Sequence, residues 1–577
     1  MIDSSKLLEQ LKNPYDTPPD FKELANVVPE FESHLVESSK GKWTIDWKND
    51  ESVRCLTQAL LKRDFDLALE LPSDRLCPTV PSRLEYCLWV LKLSLLTIRP
   101  SLHEMNRRFI GIDIGTGASC IYPLLLNRLL ERLQPTLSGS LSSSVSTADE
   151  STGQSHFDCK ILATEINDES IAIARLNISK NLKDEEGKIE VCPAREEDHD
   201  LIGTSLLNTK LQPGKLVDFV MCNPPFYASS EEIQLSALQK ELEPFAVCTA
   251  ANNELITTGG EVEFVKRMIE ESIRIGPTRV RWFTSLIGKF SSISPLVAQL
   301  RQYQISNYQV HLLGNSGQTR RWILSWSLQG ERIPPILLFQ PDPSDPSSST
   351  LRKYLPEPFG IKLYSHHLSP DSPLLLSVDP ESVSSSLRSI VEETFTGLGD
   401  AVTVMVRGPS SSETEMEVKT VRVSVVAKEN SWSRSARRNA TTSSSSTNPP
   451  PSNPQSPDPP TSPSPNQSLE LPTAPNDNLL EVDFSISLSP SPTQLNLTSS
   501  TSPVEHSSGG EIILRVEWIR GLDSRSSGIA FESLWGVLKR KFREVVEARD
   551  GIARVGGEEA EGTASRGGRK KRRKAER

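Results

Sequence analysis

The sequence predicts an α/β fold on a parallel β-sheet, followed by a smaller α+β domain. From about 81 to 330, short apolar runs alternate with helical patterns, as in strand–helix–strand units. Beyond about 420, every second residue is apolar over short stretches, as in half-buried strands. A Ser-, Pro- and Asn-rich segment without periodicity, from about 430 to 478, divides that second region and is expected to be disordered.

Taken in order, residues 1–80 show short helical patterns separated by Pro-rich turns such as Pro18-Pro19-Asp20-Phe21. Phe109-Ile110-Gly111-Ile112-Asp113-Ile114 is predicted as a buried strand, Ile161–Glu165 as a second and Leu216–Cys222 as a third. An amphipathic helix is expected over Phe264–Ile275, then a strand at Arg279–Phe283 and a late strand of the same sheet at Arg321–Leu328. The Ser/Thr/Gly-rich stretch from about 131 to 158 has no periodicity and is expected as a surface insertion. In the C-terminal region Val421, Val423 and Val425 alternate like a strand, as do Val482, Phe484, Ile486 and Leu488, and then Ile512, Leu514, Val516 and Trp518. With a helix from about 529 to 549, these make one α+β domain built from 380–429 and 479–550 and split by the 430–478 linker. Residues 551–577 end in the basic run Arg566–Lys574, expected to be unfolded and suited to nuclear import or RNA contact. A solubilising tail is the plainer reading.

At 577 residues the chain exceeds one typical domain, and 42 prolines with 36% hydrophobic residues agree with a partly unfolded chain. The net charge of −10 excludes a uniformly basic nucleic-acid binder, so any RNA surface must be a local patch. The eight cysteines (55, 77, 87, 120, 159, 192, 222 and 248) form no Cys-x-x-Cys pair and no zinc-like cluster. They are expected to be reduced structural thiols, with no metal site. No apolar stretch reaches the roughly 18 residues of a membrane span, and the N-terminus lacks a signal peptide. A soluble protein of the cytosol or nucleus is expected.

Asp113-Ile114-Gly115-Thr116-Gly117 follows a predicted strand and precedes a helical run. Glycines there let the backbone turn sharply and approach a ligand closely, and a carboxylate at the strand end suits a cationic or hydroxyl-bearing group. A tight turn without any ligand shows the same pattern. Glu165, ending the next strand, is placed to hydrogen-bond the two hydroxyls of an adenosine ribose. It follows Gly117 by about 48 residues where about 20 are expected. Removing the roughly 28-residue Ser-rich insertion restores that spacing, as insertions in surface loops permit. A dinucleotide dehydrogenase is the rival, but position 120 is Cys where its third glycine belongs. S-adenosylmethionine, which carries no phosphate, does not require that glycine.

The third strand runs into Asn223-Pro224-Pro225-Phe226. Two prolines fix the backbone at the carboxyl end of the sheet, where open α/β sheets place ligands. The Asn side-chain oxygen and a proline carbonyl can then accept hydrogen bonds from one planar amino group. Phe226 offers a flat face for stacking an extruded base. Methyl transfer from a sulfonium is an in-line displacement that needs positioning more than a strong base. A turn that carries this tetrapeptide by chance is the alternative.

These stretches resemble the adenine-N6 RNA methyltransferases typified by the enzyme of U6 spliceosomal RNA (the methyltransferase-like 16 family), with bacterial ribosomal-RNA relatives. The resemblance runs from about 10 to 330. It rests on Pro78–Leu84, Gly111–Leu124, Leu162–Glu165, Met221–Phe226, Gly259–Arg267, Thr319–Trp322 and Pro18–Phe21. It implies a Rossmann-like, class I S-adenosylmethionine-dependent fold and a catalytic centre of Asn223, Pro224, Pro225 and Phe226. Cofactor contacts are implied for Arg83, Asp113, Gly115, Gly117, Glu165 and Asn223. It further implies an RNA-binding extension over 1–80 that includes Lys48, an RNA contact at Arg321, and Arg195 as the nearest match to a basic residue on a loop that controls cofactor entry. The C-terminal domain resembles, faintly, an accessory module that grips U6 RNA. Two departures stand out. After Phe226 the family has an Arg-rich loop, whereas this chain has Ser229-Ser230-Glu231-Glu232-Ile233, and its N-terminus offers only Lys6 and Lys12. RNA affinity is therefore expected from Lys539, Arg540, Lys541, Arg543 and the tail.

N6-methylation of an adenosine in structured RNA, U6 small nuclear RNA foremost, is the expectation. It implies a nuclear location and leaves the cytoplasm open. Methylation of another planar amine (ribosomal-RNA or DNA adenine, protein glutamine) and an RNA-binding scaffold with an idle site stand as alternatives.

Overall fold

The computed structural model describes residues 4–38, 41–98, 108–142, 159–182, 187–195, 200–212, 214–238, 252–314, 320–338, 350–351, 353–356, 361–368, 372, 380–396, 398, 402–407, 420–429, 431–432, 480–490, 510–521 and 526–555. The chain divides into two units, one formed chiefly by residues 1–357 and the other by 358–454, 478–519 and 527–577.

The first unit begins with helices Ser4–Gln10, Phe21–Val27 and Asp50–Phe65 and a small antiparallel hairpin, β1 (Leu35–Glu37) and β2 (Trp43–Ile45). Polar side chains start the latter two helices as capping requires: Asp20 accepts from the Lys22 and Glu23 amides, and Asn49 from Ser52. Leu7, Phe31 and Leu60 of this segment share one core with Leu84, Leu88 and Trp89 of helix Val80–Leu96. The described residues of the N-terminal 80 are thus packed into the first unit.

Seven strands form the central sheet: β3 (Phe109–Ile114), β4 (Cys159–Glu165), β5 (Ile189–Pro193), β6 (Val217–Cys222), β7 (Val280–Ile287), β8 (Tyr308–Leu312) and β9 (Trp322–Trp326). Their order is β5-β4-β3-β6-β7-β9-β8. The first five pair in parallel, as expected. The expectation of a parallel sheet fails at the far edge, where β9 inserts antiparallel between β7 and β8. Nine positions separate β8 from β9, fewer than the dozen or more that a parallel crossover needs, so an antiparallel return is the available route. Both faces are covered. Ile161, Phe219 and Met221 point into one core, and Ile112, Leu162 and Val220 into the other. Burial on both faces explains why these strands read as continuous apolar runs. Strand order and helix layers make this a Rossmann-like methyltransferase fold.

The expected insertion at 131–158 is corrected at its start. Helix Ile121–Ser142 runs through it, because Leu126, Leu129, Leu130, Leu133 and Leu137 recur at helical spacing and are all buried. Positions 143–158 lie outside the described residues. A side-chain clasp ties the connector after helix Asp50–Phe65 to helix Asp168–Asn181. Asn181 accepts from the Ala68 amide (2.8 Å) and donates to its carbonyl (2.9 Å). One turn earlier, Asn177 accepts from the Glu70 amide (2.7 Å) and donates to the carbonyls of Glu70 and Ala118 (3.1 Å each).

The second unit is a five-stranded sheet of β10 (Ile361–Leu368), β11 (Val402–Arg407), β12 (Thr420–Ala427), β13 (Leu480–Pro490) and β14 (Gly510–Gly521), in the order β10-β14-β13-β12-β11. Helices Pro380–Phe395 and Ser526–Val555 accompany it. Val421, Val423, Phe484, Ile486, Ile512 and Leu514 meet Leu387, Ile390, Leu534, Leu538 and Phe542 in one core, the α+β arrangement expected. β10 was not anticipated. Among the described residues it pairs with β14 alone, and because its exposed face carries Leu363, apolar and polar residue types do not alternate along it. Of the expected 430–478 linker only Ser431 and Trp432 are described, and Trp432 is buried in this core. The helix expected at 529–549 continues to Val555, and positions 556–577, with the basic run, lie outside the described residues.

Candidate active site

The register of the sheet brings the sequence candidates to one level. Ile114 is opposite Thr164 of β4 and Cys222 of β6, so the next residues are Gly115, Glu165 and Asn223 on three adjacent strands. All leave the carboxyl end of the sheet, the side on which open α/β sheets bind ligands. Gly115 (φ +68°) and Gly117 (φ +67°) make the turn above β3 in the left-handed region that favours glycine. A side chain at Gly115 would meet nothing within 4 Å, so the turn faces open space there. The main chain of the turn is held from β4. Thr116 N–H donates to the Thr164 carbonyl (2.9 Å), and Gly117 N–H to Glu165 Oε2 (2.9 Å).

Glu165 is nearly buried, and its Oε1 accepts from the Ile166 and Asn167 amides (2.9 and 3.0 Å). A carboxylate has about four acceptor positions. Three are taken, which leaves Oε2 one for a ligand, fewer than the pair of ribose hydroxyls expected. Asp113 differs. It is fully buried, and neither carboxylate oxygen has a hydrogen-bond partner. Burial, with the charge of Glu165 in the same sense, pushes its carboxyl up to about 7. The Thr116 hydroxyl acts in the opposite sense while its own hydrogen bond goes to Cys120 Sγ (3.5 Å).

The end of β6 is fixed by a relay that the sequence did not reveal. The Cys222 N–H donates to the Tyr86 hydroxyl (3.2 Å), which lies 2.9 Å from Thr284 Oγ1, and Thr284 donates to the Val220 carbonyl (3.0 Å). Tyr86 is three residues after Arg83 on one helix, and that spacing was the available signal. From this anchored end Asn223 presents a buried Oδ1 with no partner. Pro224 is buried, and Pro225 and Phe226 are half-buried. Phe226 rests on Gly288, where an added Cβ would come within 2.7 Å of its ring. The Arg321 guanidinium lies 5.2 Å from the ring centroid and donates to the Gly288 carbonyl (3.2 Å). A base stacking on that side of Phe226 must therefore displace Arg321. Tyr227 continues the turn, pairing its main chain with Leu255 and Thr257 (3.0 and 2.9 Å).

Two of the remaining candidates converge here and two do not. Arg83 lies 5.8 Å from the Tyr122 ring centroid, and its charge adds to the burial that lowers the pKa of Arg321. Lys48 and Arg195 are exposed, Lys48 after β2 and Arg195 after β5, where the chain passes into positions outside the described residues. Among the described residues no group of His, Cys, Asp and Glu could hold a metal, the cysteines are free thiols, and no helix is long and apolar enough to cross a membrane.

A family model described as RNA methyltransferase matches residues 4–130 and 151–330. The chain is 33% identical over 339 residues to the U6 small nuclear RNA (adenine-(43)-N(6))-methyltransferase of Caenorhabditis briggsae, covering 56% of this chain and 62% of that protein. It is 35% identical over 314 residues to the RNA N(6)-adenosine-methyltransferase mettl16 of Danio rerio, covering 54% and 57%. To the Schizosaccharomyces pombe U6 enzyme of the same name it is 34% identical over 322 residues, covering 56% and 70%. Among solved structures, the hMettl16 catalytic domain in complex with MAT2A 3'UTR hairpin 6 superposes with a TM-score of 0.43 and 34% identity, covering 55% of this chain and 96% of that one. The N-terminal domain of human METTL16 in complex with SAH gives a TM-score of 0.39 and 33% identity, covering 55% and 97%. The match spans about 60% of the length of the first two curated relatives. By the reach of the family model over its first 330 residues, the chain belongs to the RNA methyltransferase family.

Proposed function

We propose that the chain transfers a methyl group from S-adenosylmethionine to N6 of an adenosine in structured RNA, U6 small nuclear RNA foremost. The observation that carries this is the pair of orphaned acceptors at neighbouring strand ends, Asn223 Oδ1 and the Asp113 carboxylate. Buried polar atoms without partners are uncommon, and a ligand that donates to them accounts for both. The residues fit the cofactor. Asp113 suits a cationic group, Gly115 and Gly117 leave room for close approach, and Glu165 Oε2 keeps one acceptor position.

Bound there, S-adenosylmethionine supplies a methyl group on a sulfonium. The protein's part is orientation. Asn223 Oδ1 and a proline carbonyl of the rigid turn accept from the adenine amino group and aim its lone pair, so no strong base is needed. Phe226 flanks the base, with Arg321 as the gate to its face. Lys48 and Arg195, both exposed, are proposed to bind RNA phosphates outside the catalytic turn, and a nuclear location follows from the substrate. The relatives named for U6 and adenosine support this choice of acceptor.

Incubation with labelled S-adenosylmethionine and total nuclear RNA, followed by mapping of the label, tests the proposal. N6-methyladenosine in U6 is expected. Asn223→Ala is expected to lower the rate by about 100-fold or more, the scale set by loss of one oriented acceptor. Label on DNA or on protein glutamine, or an unaffected N223A protein, rules the reading out.

A further inference from the structure

The sequence singled out Gly259-Gly260-Glu261, but the mechanism above leaves its carboxylate without a task. Glu261 lies in the first turn of helix Gly260–Ile275 and is 1% exposed. Its Oε2 accepts from the Gly288 amide (2.7 Å), and Oε1 from the Lys289 amide (2.9 Å) and the Ser292 hydroxyl (2.6 Å). All three donors lie where β7 gives way to helix Phe290–Gln302. The aromatic residues of the catalytic turn rest on that same corner. Phe226 sits on Gly288, and the Lys289 ammonium is 4.6 Å from the Tyr227 ring centroid. The helix start also touches the turn directly: an added Cβ on Gly260 would lie 3.3 Å from the Ala228 nitrogen.

A carboxylate that only capped its own helix would need neither this burial nor three donors from another element. We propose that Glu261 is a positioning residue, fixing Gly288 and Lys289 and through them the placement of Phe226 and Tyr227. It rests on the reading of Asn223–Phe226 as a methylating centre. Each carboxylate oxygen of Glu261 accepts from a main-chain amide, so a carboxamide of the same shape must turn its NH2 toward one of them.

The test compares kcat, cofactor Kd and RNA Kd of the full chain with those of Glu261→Gln, Ser292→Ala and Gly288→Ala, each normalised to folded protein by its unfolding transition. E261Q is expected to lower kcat by about 10- to 100-fold, the scale of a small misplacement of reacting groups, with both Kd values within about twofold of wild type. S292A, which removes one donor of three, is expected to fall between. G288A displaces the Phe226 ring while Glu261 stays in place, so it should also lower kcat. The E261Q/G288A double variant should be no worse than its poorer parent, because both act through one contact. Unchanged kcat per folded E261Q molecule, or additive losses in the double variant, overturns the proposal. A wild-type chain that methylates no RNA overturns the underlying reading instead.

Discussion

Asp113 and Asp218 sit on adjacent strands, both fully buried, and their surroundings are opposite. Asp218, near the start of β6, accepts from the Ile110 amide (2.9 Å) and lies 3.8 Å from Arg281 Nε, while Arg281 Nη1 donates to the Thr97 carbonyl (2.9 Å). Asp113, near the carboxyl end of β3, has no partner for either oxygen. Burying a carboxylate costs several kcal/mol unless charge and hydrogen bonds compensate. At one end of the sheet the protein supplies that compensation itself. At the other it leaves the compensation to a ligand, and that asymmetry separates a carboxylate that builds the fold from one that waits for chemistry.

The contrast breaks hardest at Asp218. Asp218→Ala removes the carboxylate that faces the buried Arg281 and is expected to lower the unfolding free energy by about 3–5 kcal/mol, measured by denaturant titration. Asp113→Asn should leave the ligand-free protein at least as stable, and should weaken S-adenosylmethionine binding by about 10- to 100-fold by calorimetry, the value of a hydrogen bond to a charged group. Equal stability losses in the two variants would erase the distinction.

A pH series sharpens it. With its carboxyl raised to about 7, Asp113 keeps in the folded state a proton that the unfolded chain releases near 4. Its contribution to stability is therefore full below about 4, declines as pH rises to 7 and is constant beyond. The neighbouring thiols of Cys87, Cys120 and Cys222 and the Tyr122 phenol are all pushed upward by burial and stay neutral across this window. Affinity for the cationic cofactor should rise by about tenfold from pH 6 to 8, and D113N should abolish the slope. The smallest effect is expected at Tyr86→Phe. It removes one buried hydroxyl from the Cys222–Thr284 relay, costs about 1 kcal/mol of stability and slows methylation severalfold without changing cofactor affinity.

Much of the first unit was legible because its strands are buried on both faces. Phe109–Ile114 and Val217–Cys222 can be read directly as apolar runs, and the glycine turn and the Asn-Pro-Pro-Phe turn follow them at once. Glu165 was legible only after the Ser-rich stretch was discounted, although the start of that stretch proved helical, since Leu133 and Leu137 continue the buried leucine spacing of the preceding helix. Asp113 and Asp218 look alike in sequence, since what distinguishes them is Arg281, more than sixty residues away along the chain. Tyr86, Glu261 and Gly288 act through contacts between distant elements, which no local pattern encodes. The Arg321–Phe226 contact escaped notice for the same reason.

The clasp of Asn177 and Asn181 works as a register key. Each side chain uses its carbonyl and its amino group on one connector residue, imitating the two hydrogen bonds of a strand neighbour. Four helical residues advance about 6 Å, close to the roughly 6.6 Å spanned by two extended ones, so the teeth match only at Ala68 and Glu70. Aspartate lacks the donor and glutamine has the wrong reach. A one-residue slip between the N-terminal extension and the sheet would break both grips together, and with them the bond from Asn177 to the Ala118 carbonyl beside the glycine turn. The segment that carries Lys48 is thereby indexed to the cofactor turn by two side-chain amides.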